Sequence, residues 1–61
     1  MSSKAILGKM LSDLWDKLEV GMGEMAAYNV ACEEMNIDPD DGWEYLEAYA
    51  HESNKSKEVK Q

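Results

Sequence analysis

The chain has no arginine, and it has only one cysteine, one proline and one histidine among 61 residues. Because Cys32 stands alone, an internal disulfide is excluded, and the cysteine and histidine pairs of a structural zinc site are missing. A single cysteine and a single histidine also provide little material for nucleophilic or acid–base catalysis. We therefore predict that the protein is not an enzyme and that it uses no cofactor or metal.

Long apolar runs are absent as well. No apolar segment approaches the roughly 20 residues that cross a bilayer, and residues 1–4 lack the charged-then-apolar pattern of a secretion signal. We expect a cytoplasmic protein. A chain of this length forms one domain that buries roughly 60% of its unfolded surface, so a partner or a second copy would add useful stability.

Positive charge is scarce over most of the chain. Residues 1–52 carry three lysines against twelve acids, a net charge of −9, whereas residues 53–61 carry three lysines and one glutamate. An acidic body repels phosphate backbones and anionic lipids, so we expect no direct binding to nucleic acid or membrane. The expected partner is a larger protein with a basic surface.

Helical periodicity predicts an all-α domain of three helices, at about residues 3–20, 24–35 and 39–52, with no sheet. Ser2 or Ser3 provides the N-cap of the first helix. Two glycines within Gly21–Gly23 cost a continuing helix about 2 kcal/mol relative to alanine, which favours a turn over a kink. The first helix has a leucine stripe at spacings of four, three and four: Leu7, Leu11, Leu14 and Leu18.

The third helix has the strongest start signals. Asp38 is a favourable N-cap, Pro39 suits the first helical position, and Asp40 and Asp41 complement the positive end of the helix dipole. The expected apolar arc of this helix consists of Gly42, Trp43, Leu46, Tyr49 and Ala50, with Tyr45 at its edge. Residues 53–61 are predicted to form a flexible polar tail outside a helical domain of residues 1–52.

The turn before the third helix also resembles a calcium loop in its spacing. Its oxygen-bearing residues fall at loop positions 1, 3, 5 and 12: Asn36, Asp38, Asp40 and Glu47. The glycine required at position 6 is replaced by Asp41, and Pro39 lies inside the loop. A helix cap explains these residues without a metal, so calcium binding is kept only as a weak alternative.

The favoured function is a non-catalytic protein-binding module, an inhibitor or modulator that covers a basic surface of a larger protein. In one form of this function, its carboxylates stand in for the phosphates of a nucleic acid. The predicted electrostatic contacts are Asp38, Asp40, Asp41, Glu44 and Glu47, and the predicted aromatic anchors are Trp43 and Tyr45. The alternative is a structural or assembly protein, either a homo-oligomer such as a homodimer joined through the leucine stripe or a small subunit of a complex.

Overall fold

Three helices form the protein in a computed structural model, which describes the backbone of residues 1–59 and the side chains of residues 1–54. The helices are α1 (Ser3–Glu19), α2 (Glu24–Glu34) and α3 (Pro39–Val59), and residues 1–59 contain no strand. The predicted all-α class and the predicted number of helices are therefore confirmed.

The third helix is longer than predicted. α3 ends at Val59, seven residues beyond the predicted end at residue 52. Lysine and glutamate are good helix formers that require no burial, which explains how a polar segment can continue a helix. The side chains of residues 55–61 and the backbone of residues 60 and 61 lie outside the described part of the chain, so the flexible tail stays a prediction.

The start of α1 and the turn after it follow the local signals. The Ser2 hydroxyl accepts a hydrogen bond from the backbone N–H of Ala5 at 3.2 Å, which caps α1. After α1, the N–H groups of Gly21 and Met22 both donate to the Leu18 carbonyl, at 3.0 and 3.1 Å. A turn therefore separates α1 from α2, as predicted, and no kinked continuous helix forms.

α2 ends in a Schellman motif at Asn36, which adopts a left-handed backbone with φ of 59°. The Ile37 N–H donates to the Cys32 carbonyl at 2.8 Å, and the Asn36 N–H donates to the Glu33 carbonyl at 3.1 Å. These bonds satisfy carbonyls at the helix end that would otherwise have no partner. Asn36 therefore turns the chain towards α3.

Asp38 caps α3. Its carboxylate accepts a hydrogen bond from the Asp40 N–H at 2.9 Å, and its carbonyl accepts from Asp41 and Gly42 at 2.8 and 2.9 Å. Asp40 and Asp41 occupy the first turn, where negative charge is favourable. The predicted start of the third helix is confirmed residue by residue.

The core lies between the second half of α1, α2 and the start of α3. Its fully buried cluster consists of Leu11, Tyr28, Ala31 and Cys32. Partly buried apolar side chains surround this cluster: Leu14, Trp15, Leu18, Met35, Ile37 and Leu46. α1 packs against both other helices, whereas α2 and α3 make few contacts with each other.

The inward side of α1 is not centred on the leucine stripe. The buried residues of α1 are Ala5, Gly8 and Leu11, and two of these three are small. Small residues let two helix backbones approach closely, and the Gly8 backbone lies against that of Tyr45 in α3. Leu7, at the N-terminal end of the stripe, is 37% exposed, whereas Leu11 is fully buried and Leu14 and Leu18 are partly buried against the core.

Among the described residues, no helix combines the length and the apolar composition that would be required to cross a membrane.

Candidate functional site

Three aromatic rings form one cluster at the junction of the helices. Trp43 of α3 stacks on Tyr28 of α2, with ring centroids 4.4 Å apart and planes at 20°. Trp15 of α1 contacts both rings, at 4.9 Å from Tyr28 and, edge to face, at 5.6 Å from Trp43. Such pairs stabilise by about 0.5–1.5 kcal/mol beyond their buried area, so the cluster holds Trp43 in a defined orientation.

Two hydrogen bonds anchor the inner part of this cluster. The buried Tyr28 hydroxyl donates to the Pro39 carbonyl, and the Trp15 indole N–H donates to the Glu24 carbonyl at 3.0 Å. Burial raises the pKa of the Tyr28 hydroxyl above its ordinary value, so the hydroxyl remains a protonated donor into the alkaline range. Gly42 provides the space, because a Cβ at that position would collide with the Tyr28 oxygen and lie 2.9 Å from the Cys32 sulfur.

Trp43 is the exposed member of the cluster, with 48% of its surface accessible. Residues three and four apart lie on the same side of a helix, so Asp40 and Glu47 flank Trp43 on α3. Both acids are exposed. We define the acidic surface of α3 as Asp40, Asp41, Trp43, Glu44 and Glu47.

The other predicted contact residues are differently placed. Asp38 is exposed, but its carboxylate already caps α3. Glu44 forms an ion pair with Lys4 of α1 at 3.1 Å, and both side chains remain largely exposed. Tyr45 is half-buried and its backbone lies against Gly8, so it offers less accessible aromatic surface than Trp43.

Two open depressions lie beside the acidic residues. One, of about 500 Å³, lies at the corner between α2 and α3 and is lined by Asn29, Glu33, Asn36, Ile37, Asp38 and Pro39. The other, of about 370 Å³, lies between α1 and α3 and is lined by Lys4, Glu44, Glu47, Ala48 and His51. Both have mixed polar and apolar walls, which suits contact with a protein surface.

The reactive side chains occupy separate environments. Cys32 is fully buried, and burial raises the pKa of its thiol, which disfavours the nucleophilic thiolate. His51 is exposed on α3. Within residues 1–54, no three histidine, cysteine, aspartate or glutamate side chains are placed to hold a metal ion together. Asn36 and Asp38, which belong to the calcium-loop alternative, lie at the end of α2 and at the start of α3.

Glu52 has a role that its position outside the predicted apolar arc of the third helix does not indicate. Its carboxylate accepts hydrogen bonds from the Ser2 backbone N–H at 3.0 Å and from the Ser2 hydroxyl at 2.6 Å. The bond from the Ser2 hydroxyl is the main reason that the pKa of Glu52 is lowered. In a capping box, the side chain three positions after the N-cap accepts a hydrogen bond from the backbone N–H of the N-cap residue. That position is Ala5 in α1, which has no carboxylate, so Glu52 of α3 accepts the bond from Ser2.

No protein-family model, no curated protein and no solved structure matches the chain.

Proposed function

We propose that the protein is a non-catalytic binding module whose acidic α3 surface covers a basic surface of a larger protein and thereby inhibits or modulates that protein. The observation that carries the proposal is the placement of Trp43, which is half exposed, held by Tyr28 and Trp15, and flanked by Asp40 and Glu47. Tryptophan is enriched at binding hot spots, and a ring that is already oriented loses little conformational entropy on binding.

The charge distribution supports a basic partner. Among residues 1–54 the ion pairs are Lys4 with Glu44 and Lys9 with Asp13, so Asp40, Asp41 and Glu47 have no lysine partner there. Exposed carboxylates of this kind contribute mainly through the rate and selectivity of association. We expect binding to weaken as salt is raised, because exposed charges are screened.

One class of basic surface is the nucleic-acid-binding site of another protein. Carboxylates that project from successive turns of α3 then take the places of phosphates, and the module blocks access by DNA or RNA. Competition tests this form of the proposal, since duplex DNA should displace the module from such a partner. A partner that binds the module and DNA together would restrict the proposal to other basic surfaces.

Affinity capture with the protein as bait tests the proposal directly. The test variant replaces the four acids of the acidic surface with amides: Asp40→Asn, Asp41→Asn, Glu44→Gln and Glu47→Gln. The control variant makes the same change of net charge at four exposed acids elsewhere: Asp16→Asn, Glu19→Gln, Glu24→Gln and Glu34→Gln. Circular dichroism establishes that both variants keep their helices.

We expect the wild-type protein and the control variant to capture the same partner at low salt, and the test variant to lose it. Equal loss in both variants would mean that net charge, and not the acidic surface, drives capture. Undiminished capture by a folded test variant would overturn the proposal. A Trp43→Ala variant should also lose capture by at least about tenfold, as expected for a hot-spot residue.

A further inference from the structure

α1 is the central helix of a thin molecule. It packs against both α2 and α3, which make few contacts with each other, and the Cα atoms extend only 14 Å along the shortest principal axis. Domains usually bury a core between at least two layers of secondary structure. The central helix of this protein therefore has a side that neither neighbouring helix covers.

Part of that uncovered side of α1 is apolar, and it lies beside the exposed charges of Lys9, Asp13 and Lys17. Ile6, Leu7 and Met10 are 48%, 37% and 54% exposed and lie on two adjacent turns, with half-buried Leu14 one turn further on. We call Ile6, Leu7 and Met10 the outer face of α1. Three large apolar side chains exposed together on one helix are typical of a contact surface, whereas scattered single ones are not.

Charge favours a second copy of this chain. α1 carries three lysines and three acids and is formally neutral, whereas α2 carries three acids and residues 38–52 carry six, both without a lysine. Two copies of an acidic protein repel each other least when they meet through their neutral helices. Covering the outer face with a second copy also provides the second layer that the thin molecule lacks.

The charge pattern along α1 further indicates the direction of pairing. Residues 3–10 contain Lys4 and Lys9 and no acid, whereas residues 11–19 have a net charge of −2. An antiparallel pair with its two-fold axis near Met10, where Ile6 of one copy faces Leu14 of the other, places the positive half of each α1 beside the negative half of the other. A parallel pair places like charges together. Antiparallel pairing is also what a two-fold axis perpendicular to the helices produces.

We propose that two copies of the protein form a symmetric dimer through the outer face of α1, with the two α1 helices antiparallel. The dimer does not depend on the function proposed for α3. It extends that function, because the paired helices are the α1 helices and each copy keeps its own acidic surface. Two linked acidic surfaces would bind a partner with repeated basic sites more tightly than one.

Sedimentation equilibrium of the wild-type protein from about 1 µM to about 1 mM tests the proposal. We expect a monomer–dimer equilibrium. Met10→Lys introduces a charge at the outer face and should raise the dissociation constant at least about tenfold without loss of helix content, because Met10 is more than half exposed in its own chain. The matched control is Val20→Lys, which changes an apolar residue that is 90% exposed at the end of α1 and should leave the dimer intact.

Salt and cross-linking separate this dimer from other assemblies. The apolar dimer should persist or tighten at high salt, whereas a contact between lysines and the acidic surface of another copy should weaken. In a Cys32→Ala background, the Ser3→Cys and Lys17→Cys variants are mixed and oxidised. We expect disulfides between one Ser3→Cys chain and one Lys17→Cys chain, and none between two chains of the same variant. A wild-type monomer at about 1 mM, or a dimer unaffected by Met10→Lys, overturns the proposal. Disulfides between Ser3→Cys chains alone overturn the antiparallel arrangement.

Discussion

Gly8 of α1 lies directly against the backbone of Tyr45 of α3, and this contact brings the two longest helices together. A Cβ on Gly8 would overlap the Tyr45 carbonyl oxygen, and would lie 2.6 Å from the carbonyl carbon and 2.9 Å from the Cβ of Tyr49. Two of these three atoms belong to the Tyr45 backbone, so they cannot move aside by a change of rotamer. The spacing of α1 and α3 therefore depends on a glycine in the middle of a helix, where glycine is otherwise unfavourable.

Gly8→Ala should destabilise the protein although alanine is the better helix former. Alanine adds up to about 1 kcal/mol of helix propensity. Separating α1 and α3 to admit the methyl group should cost more, about 1–3 kcal/mol or above, as in other overpacked cores. Urea unfolding followed by circular dichroism measures the difference.

Gly21→Ala is the matched control for Gly8→Ala. Apart from its two neighbours in the chain, no residue in the described part of the protein has an atom within 4 Å of the place that a methyl group on Gly21 would take. The φ of Gly21 is not positive, so alanine fits its backbone. We expect a gain of about 0.4–1 kcal/mol, because alanine reduces the entropy of the unfolded chain. A Gly8→Ala variant as stable as the wild-type protein would contradict the close approach of the two helices.

Tyr28→Phe should lower the free energy of unfolding by about 0.5–1.5 kcal/mol, the usual contribution of one hydrogen bond. The substitution removes the bond to the Pro39 carbonyl and retains the stacked ring. Tyr45→Phe is the control, since its hydroxyl makes no hydrogen bond to residues 1–54. Equal effects of the two substitutions in urea unfolding would show that the Tyr28 hydroxyl does not stabilise the start of α3.

Glu52 should make stability depend on pH in the acid range. Its pKa is lower in the folded protein than in the unfolded chain, where it is about 4.3, so folding favours the carboxylate. The stabilisation by Glu52 is complete above the pKa that Glu52 has in the unfolded chain. It is lost as the pH falls through the lower pKa that Glu52 has in the folded protein. Glu52→Gln should therefore be less stable than the wild-type protein at neutral pH, and the difference should shrink below about pH 4.

Urea titrations at a series of pH values measure the effect of Glu52. Glu34→Gln is the control, because Glu34 is exposed and makes no side-chain hydrogen bond within residues 1–54. A constant difference between Glu52→Gln and the wild-type protein from neutral to acid pH would contradict the link between Glu52 ionisation and the Ser2 contact.

Gly23 offers a site at which stability can be raised. It is the N-cap of α2, its backbone is extended, and it has no side chain to accept a hydrogen bond from the first turn. Gly23→Ser should add a few tenths of a kcal/mol, and Gly23→Ala should lower stability because alanine is a poor N-cap. Thermal unfolding should rank the three proteins serine, glycine, alanine, and any other order would contradict this assignment of the cap.

The parts of the structure that were predictable from the sequence are those in which a residue acts on its own neighbours. Ser2 and Asp38 cap helices through backbone groups two or three residues away, and the glycines at 21 and 23 interrupt a helix. The position of Trp43 beside Asp40 and Glu47 also follows from helical spacing. These local effects were enough to predict three helices and the starts of all three, and they placed the acidic surface on α3.

The orientation of the helices was not predictable in the same way. The leucine stripe identifies an apolar side of α1 without specifying whether a neighbouring helix or a second copy covers it. The buried side of α1 includes Ala5 and Gly8, because close contact with α3 requires small residues. The predicted apolar arc of α3 likewise included Ala50 and left out Glu52. Ala50 is exposed, and Glu52 bonds to Ser2 at the other end of the chain.

The sequence alone thus determined where the helices begin, where the chain turns and where negative charge accumulates, since each depends on residues within one or two turns of each other. Only the tertiary structure decided that Gly8 meets Tyr45, that Glu52 completes the cap of α1, and that Ile6, Leu7 and Met10 stay exposed. These features depend on how helices distant in sequence pack together, and a periodic pattern identifies an apolar side without specifying which part of it a neighbour covers.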